Sequence, residues 1–519
     1  MTATADLARA AGEARALIAA EPGVREVEVF AAENRALLTR LNYTSHIPCN
    51  GVEEPKSSES SGLGVRVVLD SPEGPQVGFG AEPSDLGPEG ARRAFARARR
   101  AAVPDPAFES LPRPSRERRS LVGYHDPALL AMDDDTLVEV GWRVVRGAVG
   151  TFLGSSRLAE LAGSEAGLRR LGLVVGGDVT ILQERIAVAS TALPGPETDA
   201  STLLMAFVTA MVEAADAKGS GWSAATRLDD WTDEAGVEAA QNAIGAVGGV
   251  RVPAGDYAVV FGPQPVTDLM NNLVIPACHA GAFYSSSTPF LGKLGARVAS
   301  PLLSLRDDGA RPGLVGSKGI TCEGLPTGRT DLIRDGVLVG CLASWYDSRR
   351  LLRDPDIRGK LGVDAGAAAP ALVPRNGFRY GGGGGRAFDR PPGTAATNVI
   401  VEGAAPMSRE ELCRRVDNGL YIGRIWYTYP INGLRAGDFT CTVVGDSYII
   451  RDGRITAPLQ ANAVRLNDNV LRVLDGITGI GERARATLVW AADEIVHAPE
   501  IAVASVHADE ISPPREEGS

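Results

Sequence analysis

Asn271-Asn272-Leu273-Val274-Ile275-Pro276-Ala277-Cys278-His279 lies in a run from Val266 to Leu351 that carries most of the chemical information in the chain. Leu269, Met270, Leu273, Val274 and Ala277 recur at three- and four-residue spacing, which predicts a buried helix as far as Pro276. Thr267 stands where an N-cap hydroxyl would be useful. Cys278 and His279 follow at once, then Phe283-Tyr284 and a serine-rich turn from Ser285 to Thr288. Beyond them come Gly295-Ala296-Arg297-Val298-Ala299-Ser300-Pro301, Asp307-Asp308-Gly309, Glu323-Gly324-Leu325-Pro326-Thr327 and Arg329-Thr330.

Working outward, 519 residues exceed one ordinary core, so two domains are expected, 1–247 and 248–519. The fold class is α+β: an N-terminal helix-and-sheet half, then a β-rich C-terminal half holding the central helix. A hydrophobic share of 44% with 23% charged residues fits a soluble globular protein. No run approaches the length of a membrane span and the N-terminus lacks a signal-peptide pattern, so a cytoplasmic location is expected. Six scattered cysteines fit reduced thiols. The 53 basic and 64 acidic side chains give −11, which disfavours binding nucleic acid, because phosphate contacts need an excess of Lys and Arg.

In chain order, residues 5 to 21 predict an amphipathic helix. Strands follow at Val24 to Phe30 (Val27 and Val29 inward, Glu26 and Glu28 outward), Leu37 to Leu41 and Gly64 to Leu69. Asn50 to Gly62 predicts a mobile loop and residues 89 to 102 a helix. A long helix from Asp135 to Phe152 precedes strands at Val179 to Leu182 and Arg185 to Ser190, then helices at Ser201 to Ala217 and Asp233 to Ile244. Val252 to Phe261 opens the second half as a strand. Asp335-Gly336 and Asp452-Gly453 predict two tight hairpins, and Ser408 to Glu411 a capping box. Pro374 to Gly393 predicts a flexible glycine-rich loop, Tyr421 to Tyr429 an alternating strand, and the tail after Ser512 a frayed end.

The ordered motifs resemble the TldD/TldE (PmbA) family, described as DNA gyrase modulators and peptide-maturing metallopeptidases, and the resemblance extends to both ends of the chain. In that family one chain carries His-Glu-x-x-x-His on the helix before the Gly-x-Arg-Val-Ala-Ser-Pro element, with a Cys near the C-terminus, and these bind zinc. The partner chain lacks those ligands. Counting back from Gly295, the metal motif should fall at about Asn271 to Pro276, where Asn271, Asn272 and Pro276 stand. The segment from Val489 to Asp509 contains no Cys.

The resemblance therefore implies the non-catalytic subunit of a heterodimeric zinc metallopeptidase acting on unfolded peptides, with the maturation of peptide natural products as one role it allows. This chain would carry no cofactor; zinc would sit in a TldD-like catalytic partner. His279, Tyr284 and Ser285 are candidates for the substrate cleft, and the alternative reading of them is ordinary helix-exit packing. Two other functions stay open. One is an autonomous hydrolase with a remodelled site at His279, joined by His497 or His507. The other is a non-proteolytic binding protein of the gyrase-modulator type, assembled as a homodimer. Trp345, Tyr346, Trp426, Tyr427 and Tyr429 are candidates for core or subunit interface.

Overall fold

The structure, a computed structural model, describes residues 3–47, 51–72, 74–114, 117–121, 124–381, 385–487 and 495–512. The expected frayed tail after Ser512 lies outside these residues. Seven strands form the first sheet: β1 (Val24–Thr44), β2 (Lys56–Leu69), β3 (Gln76–Pro83), β4 (Val103–Pro104), β5 (Leu173–Ser190), β6 (Glu197–Val212) and β7 (Ala217–Ala225). They are antiparallel, in the order β4-β3-β2-β1-β5-β6-β7.

Several short expectations merge into longer elements here. Leu37 to Leu41 is the outer half of β1, and the two strands expected within 179–190 are one strand, β5. Lys56 to Gly62, expected in a loop, is ladder: Leu37 pairs with Ser57 and Glu33 with Ser61. Exposed Ser and Glu side chains hid a backbone that pairs with β1 throughout. Ser201 to Ala217, expected as a helix, is mostly β6, whose burial alternates residue by residue from Leu204 to Val212. Its Leu, Met and Ala content suits a helix, but the period is two, and period prevails over propensity.

The sheet is covered on both faces. Val27, Val29 and Ala31 of β1 meet Leu7, Ala11 and Ile18 of the helix Thr4–Ala19 and Ala91 and Ala94 of Pro88–Arg100. Farther along, Leu37 and Leu41 belong to the core under the helices Asp134–Leu153 and Glu234–Gly245. The opposite face is not solvent. Phe30, Ala32, Ile186 and Val188 pack on Ile320, Cys322, Phe378 and Phe388 of the second half. Burying each of these aromatic rings is worth roughly 1.5–3 kcal/mol.

Glu28, expected to point outward, is completely buried on that face. It accepts from Arg66 at 2.7 Å and Arg379 at 2.6 Å. Glu26 is buried too and accepts the Leu111 N–H at 2.9 Å. Nearby, Glu184 takes Lys318 at 2.5 Å, and Asp199 takes Arg386 at 2.9 Å and Arg119 at 2.5 Å. Burial alone would raise the Glu184 carboxyl, but Lys318 and Arg386 outweigh it and bring it down to about 2. Arg379 and Arg386 flank the glycine run, so the expected flexible loop is anchored at both sides, and Gly377–Phe378 pairs with Gly393–Thr394. Residues 382–384 lie outside the described ones. Gly64 is required for this contact: a Cβ there would lie 2.2 Å from the Phe388 carbonyl oxygen.

The second half holds a ten-stranded and a six-stranded sheet around one large core. Strand β8 (Gly255–Phe261) pairs with Ile501–Glu510 on one side and Gly419–Ile422 on the other. Arg424–Pro430 forms one edge of this sheet. Both expected hairpins close on left-handed Asp-Gly pairs, with φ of 48° and 77° at Asp335-Gly336 and 50° and 70° at Asp452-Gly453. The capping box at Ser408 and Glu411 has both of its hydrogen bonds. The expected alternation through Tyr429 fails at Tyr427, where φ is +56° and the register slips between Trp426 and Tyr429. Ile425 and Thr428 turn inward, while Trp426, Tyr427 and Tyr429 are exposed.

Two outcomes follow for stability. Arg386→Met strands Glu184 and Asp199 beside too little positive charge, and the loss should be about 3–5 kcal/mol in urea unfolding. Asp307, Glu323 and Asp446 are buried carboxyls that desolvation pushes up to about 7. The folded state therefore holds protons that the unfolded chain releases near pH 4, and stability should fall as pH rises from about 4 to 7. The urea midpoint should be lower at pH 8 than at pH 5, with a smaller drop in Asp446→Asn; Glu184 acts oppositely below its unfolded value of 4.5, and His279 and His497, which burial lowers to about 4, offset part of the fall up to about 6.5.

Candidate functional site

The helix of the Asn271 segment begins at Pro263, with Gly262 as N-cap. Thr267, expected as the cap, is instead inside the helix, fully buried, its hydroxyl without a hydrogen-bond partner. Proline at the first position suits a helix start, since its missing N–H would have had no partner there. Met270 to Val274 then widens into a π turn, with the Ile275 N–H reaching back to the Met270 carbonyl. Pro276 supplies the reason: it has no N–H to give the fourth residue back, and its ring crowds that carbonyl. Ile275–Ala277 completes the segment.

Cys278 and His279 do not share a helix. Cys278 ends the turn, and His279 is extended, with φ −71° and ψ 133°. Its neighbours fix it: the Ala280 N–H donates to Leu342 at 2.8 Å and the Leu342 N–H to Cys278 at 3.0 Å. Burial pushes the Cys278 thiol up to about 12, so it is no nucleophile at neutral pH. Burial also lowers His279 to about 4, against the opposing Asp347 carboxylate, and leaves its Nε2 without a partner.

The site helix is bonded to the edge strand Arg424–Pro430 through side chains. The Gln264 amide accepts the Ile425 N–H at 2.9 Å and donates to the Ile425 carbonyl at 3.2 Å, standing in for a neighbouring strand. One turn on, Asp268 accepts the Thr428 hydroxyl and, at 3.2 Å, the Asn272 amide. Burial raises its carboxyl to about 6. Asn272 also donates to the Asp268 carbonyl at 2.8 Å. Asn271 differs: both atoms of its amide are buried and neither has a partner among the described residues. An orphaned donor and acceptor on one side chain match the N–H and C=O of a peptide bond.

The remaining candidates sit on the helix Ala280–Tyr284, which packs on the helix Trp345–Leu352. Tyr284 is stacked between Arg350 and Lys360, at 4.3 and 4.4 Å from the ring centre. The Ser285 hydroxyl bonds back to the Gly281 carbonyl at 2.9 Å, ordinary helix-exit geometry. Trp345 is buried and donates to the Ser110 carbonyl, and Tyr346 bonds Asp105 at 3.0 Å. These two aromatics join the stretch from Asp105 to Ser110 to the second half.

A zinc ion needs three converging protein ligands of His, Cys or carboxylate type. Asn271, Asn272 and Pro276 offer none, and no three such side chains converge among the described residues. His279 faces Asp347, His497 bonds Asn398 at 3.1 Å, and His507 bonds Asp256 at 2.8 Å. The donor set here does not fit the metal. Gln264, Asp268 and Thr428 escaped sequence reading; the one signal was a carboxylate, Asp268, inside an apolar helix.

Residues 254–510 match the PmbA/TldA metallopeptidase C-terminal domain. A metalloprotease of Synechocystis sp. is 29% identical over 247 residues, 47% of this chain and 46% of that protein. The metalloprotease TldD homologue of Haemophilus influenzae is 25% identical over 256 residues, 48% of this chain and 46% of that one. The chain spans about half the length of the curated relatives it matches. The crystal structure of TldE from Thermococcus kodakarensis is similar in fold, with TM-score 0.73 and 18% identity over 98% of this chain and 100% of that one. No helix among the described residues is long and apolar enough to cross a membrane. Residues 254–510 are thus a C-terminal domain of the PmbA/TldD family.

Proposed function

We propose that this chain is the non-catalytic subunit of a TldD/TldE-type heterodimeric metallopeptidase. The observation that carries the reading is the site helix, whose metal-motif positions hold two amides and a proline. Its one carboxylate, Asp268, is occupied by Thr428 and Asn272. The zinc and its water belong to a TldD-like partner, and this chain completes the chamber that receives an unfolded peptide. The unpartnered Asn271 amide supports a peptide as substrate, because Gln264, seven residues earlier, already pairs with a backbone N–H and C=O through the same chemistry. Precursors of peptide natural products, trimmed during maturation, are the substrate class, and the cytoplasm is the setting.

The purified chain should not cleave an unfolded peptide alone, but should do so when mixed with a His-Glu-x-x-x-His homologue. Cleavage by the lone chain, abolished in His279→Ala, would overturn the reading in favour of an autonomous hydrolase. In the two-chain complex, Asn271→Ala should lower kcat/KM about tenfold, the equivalent of one peptide-bond pairing lost. Its unfolding midpoint should not drop, since the amide bonds nothing in the free chain.

A further inference from the structure

An open cleft of about 530 Å³ lies beside the six-stranded sheet. Its wall carries Arg306, Arg311 and Arg329 with Asp308, and Ser120 from the first half. With Glu402 and Asp331 beside Asp308, three arginines meet three carboxylates here, so what decides the chemistry is which donors stay open. The arginines differ in what they have left to give. Arg306 spends both terminal nitrogens on Glu402, at 2.6 and 2.5 Å. Arg329 spends its Nε on Asp331 at 2.7 Å. Arg311 reaches Glu402 only at 4.0 Å and makes no side-chain hydrogen bond among the described residues.

The backbone under Arg311 is fixed. Its carbonyl accepts the Ser317 hydroxyl at 2.7 Å, Pro312 follows it, and Gly313 turns at φ +82°. A residue before proline is confined to extended conformations, so the guanidinium is presented from a preset position. Two guanidinium groups with open donors beside a hydroxyl suit an oxyanion, which Arg binds bidentately. The volume is that of an organic ligand and exceeds what a bare ion fills. Asp308, next to the arginines, suits an N–H close to the anion.

We propose that this cavity binds an oxyanion, supplied by the free carboxylate end of a peptide, with Arg311 as the principal contact and Asp308 taking an adjacent N–H. The site is independent of the subunit role above, and the lone chain suffices to test it. The probe is a short unstructured peptide, fluorescently labelled at its N-terminus, as the free acid and as the C-terminal amide, with inorganic phosphate as a third ligand. The free acid should bind at least tenfold more tightly than the amide. That preference should vanish in Arg311→Ala and be only partly kept in Arg311→Lys, both with the wild-type unfolding midpoint. Phosphate binding that depends on Arg311, with no binding of the acid, would uphold the oxyanion site and overturn the peptide as its source. Equal binding of acid and amide, or no effect of Arg311→Ala on either ligand, would overturn the site.

Discussion

Charge removed from water has to be neutralised where it stands, and the architecture hangs on one place where that is done. Glu28, Glu184 and Asp199 lie on the face of the first sheet turned away from its helices. Their partners Arg379, Lys318 and Arg386 come from the far half of the sequence. Without the second half Glu184 would have no cation, and Glu28 and Asp199 would keep only Arg66 and Arg119, so the halves dock in one relation. The apolar rings around them add adhesion that is far less particular about angle. Two arginines seven positions apart turn inward from either side of the glycine run, which makes that stretch a clasp.

The site helix inherits its shape from this docked second half and from one residue of its own. Pro276 denies the helix a hydrogen bond, the backbone widens by one residue, and Asn271 and Asn272 are carried to different surroundings. Asn272 folds back on Asp268 and Asn271 is left with nothing. A regular helix would have kept the two amides on a constant 100° step.

Much of this was legible in the residues, and what was not has a physical cause. Helix faces such as Leu137, Val140 and Val144, and turns such as Asp335-Gly336, announce themselves because local sequence alone sets them. The polar side of β1 misled: alternation reveals that Glu28 opposes Val27 and Val29, but not that another half of the molecule would cover it. In β6 a helical composition concealed a two-residue period. At the site, Gln264 and Asp268 matter only because a strand 160 residues later lies across them, which no local pattern announces.

Gln264 has a bearing on how the molecule survives in a crowded solution. The outermost strand of a sheet is a template on which any extended chain can polymerise, and here it also displays three aromatic rings to water. By occupying the free N–H and C=O of Ile425, the glutamine removes the rung on which a fibril would start, and the twist at Tyr427 spoils the next ones. The rings can stay in the open for whatever must touch them, with no penalty of self-association through the backbone.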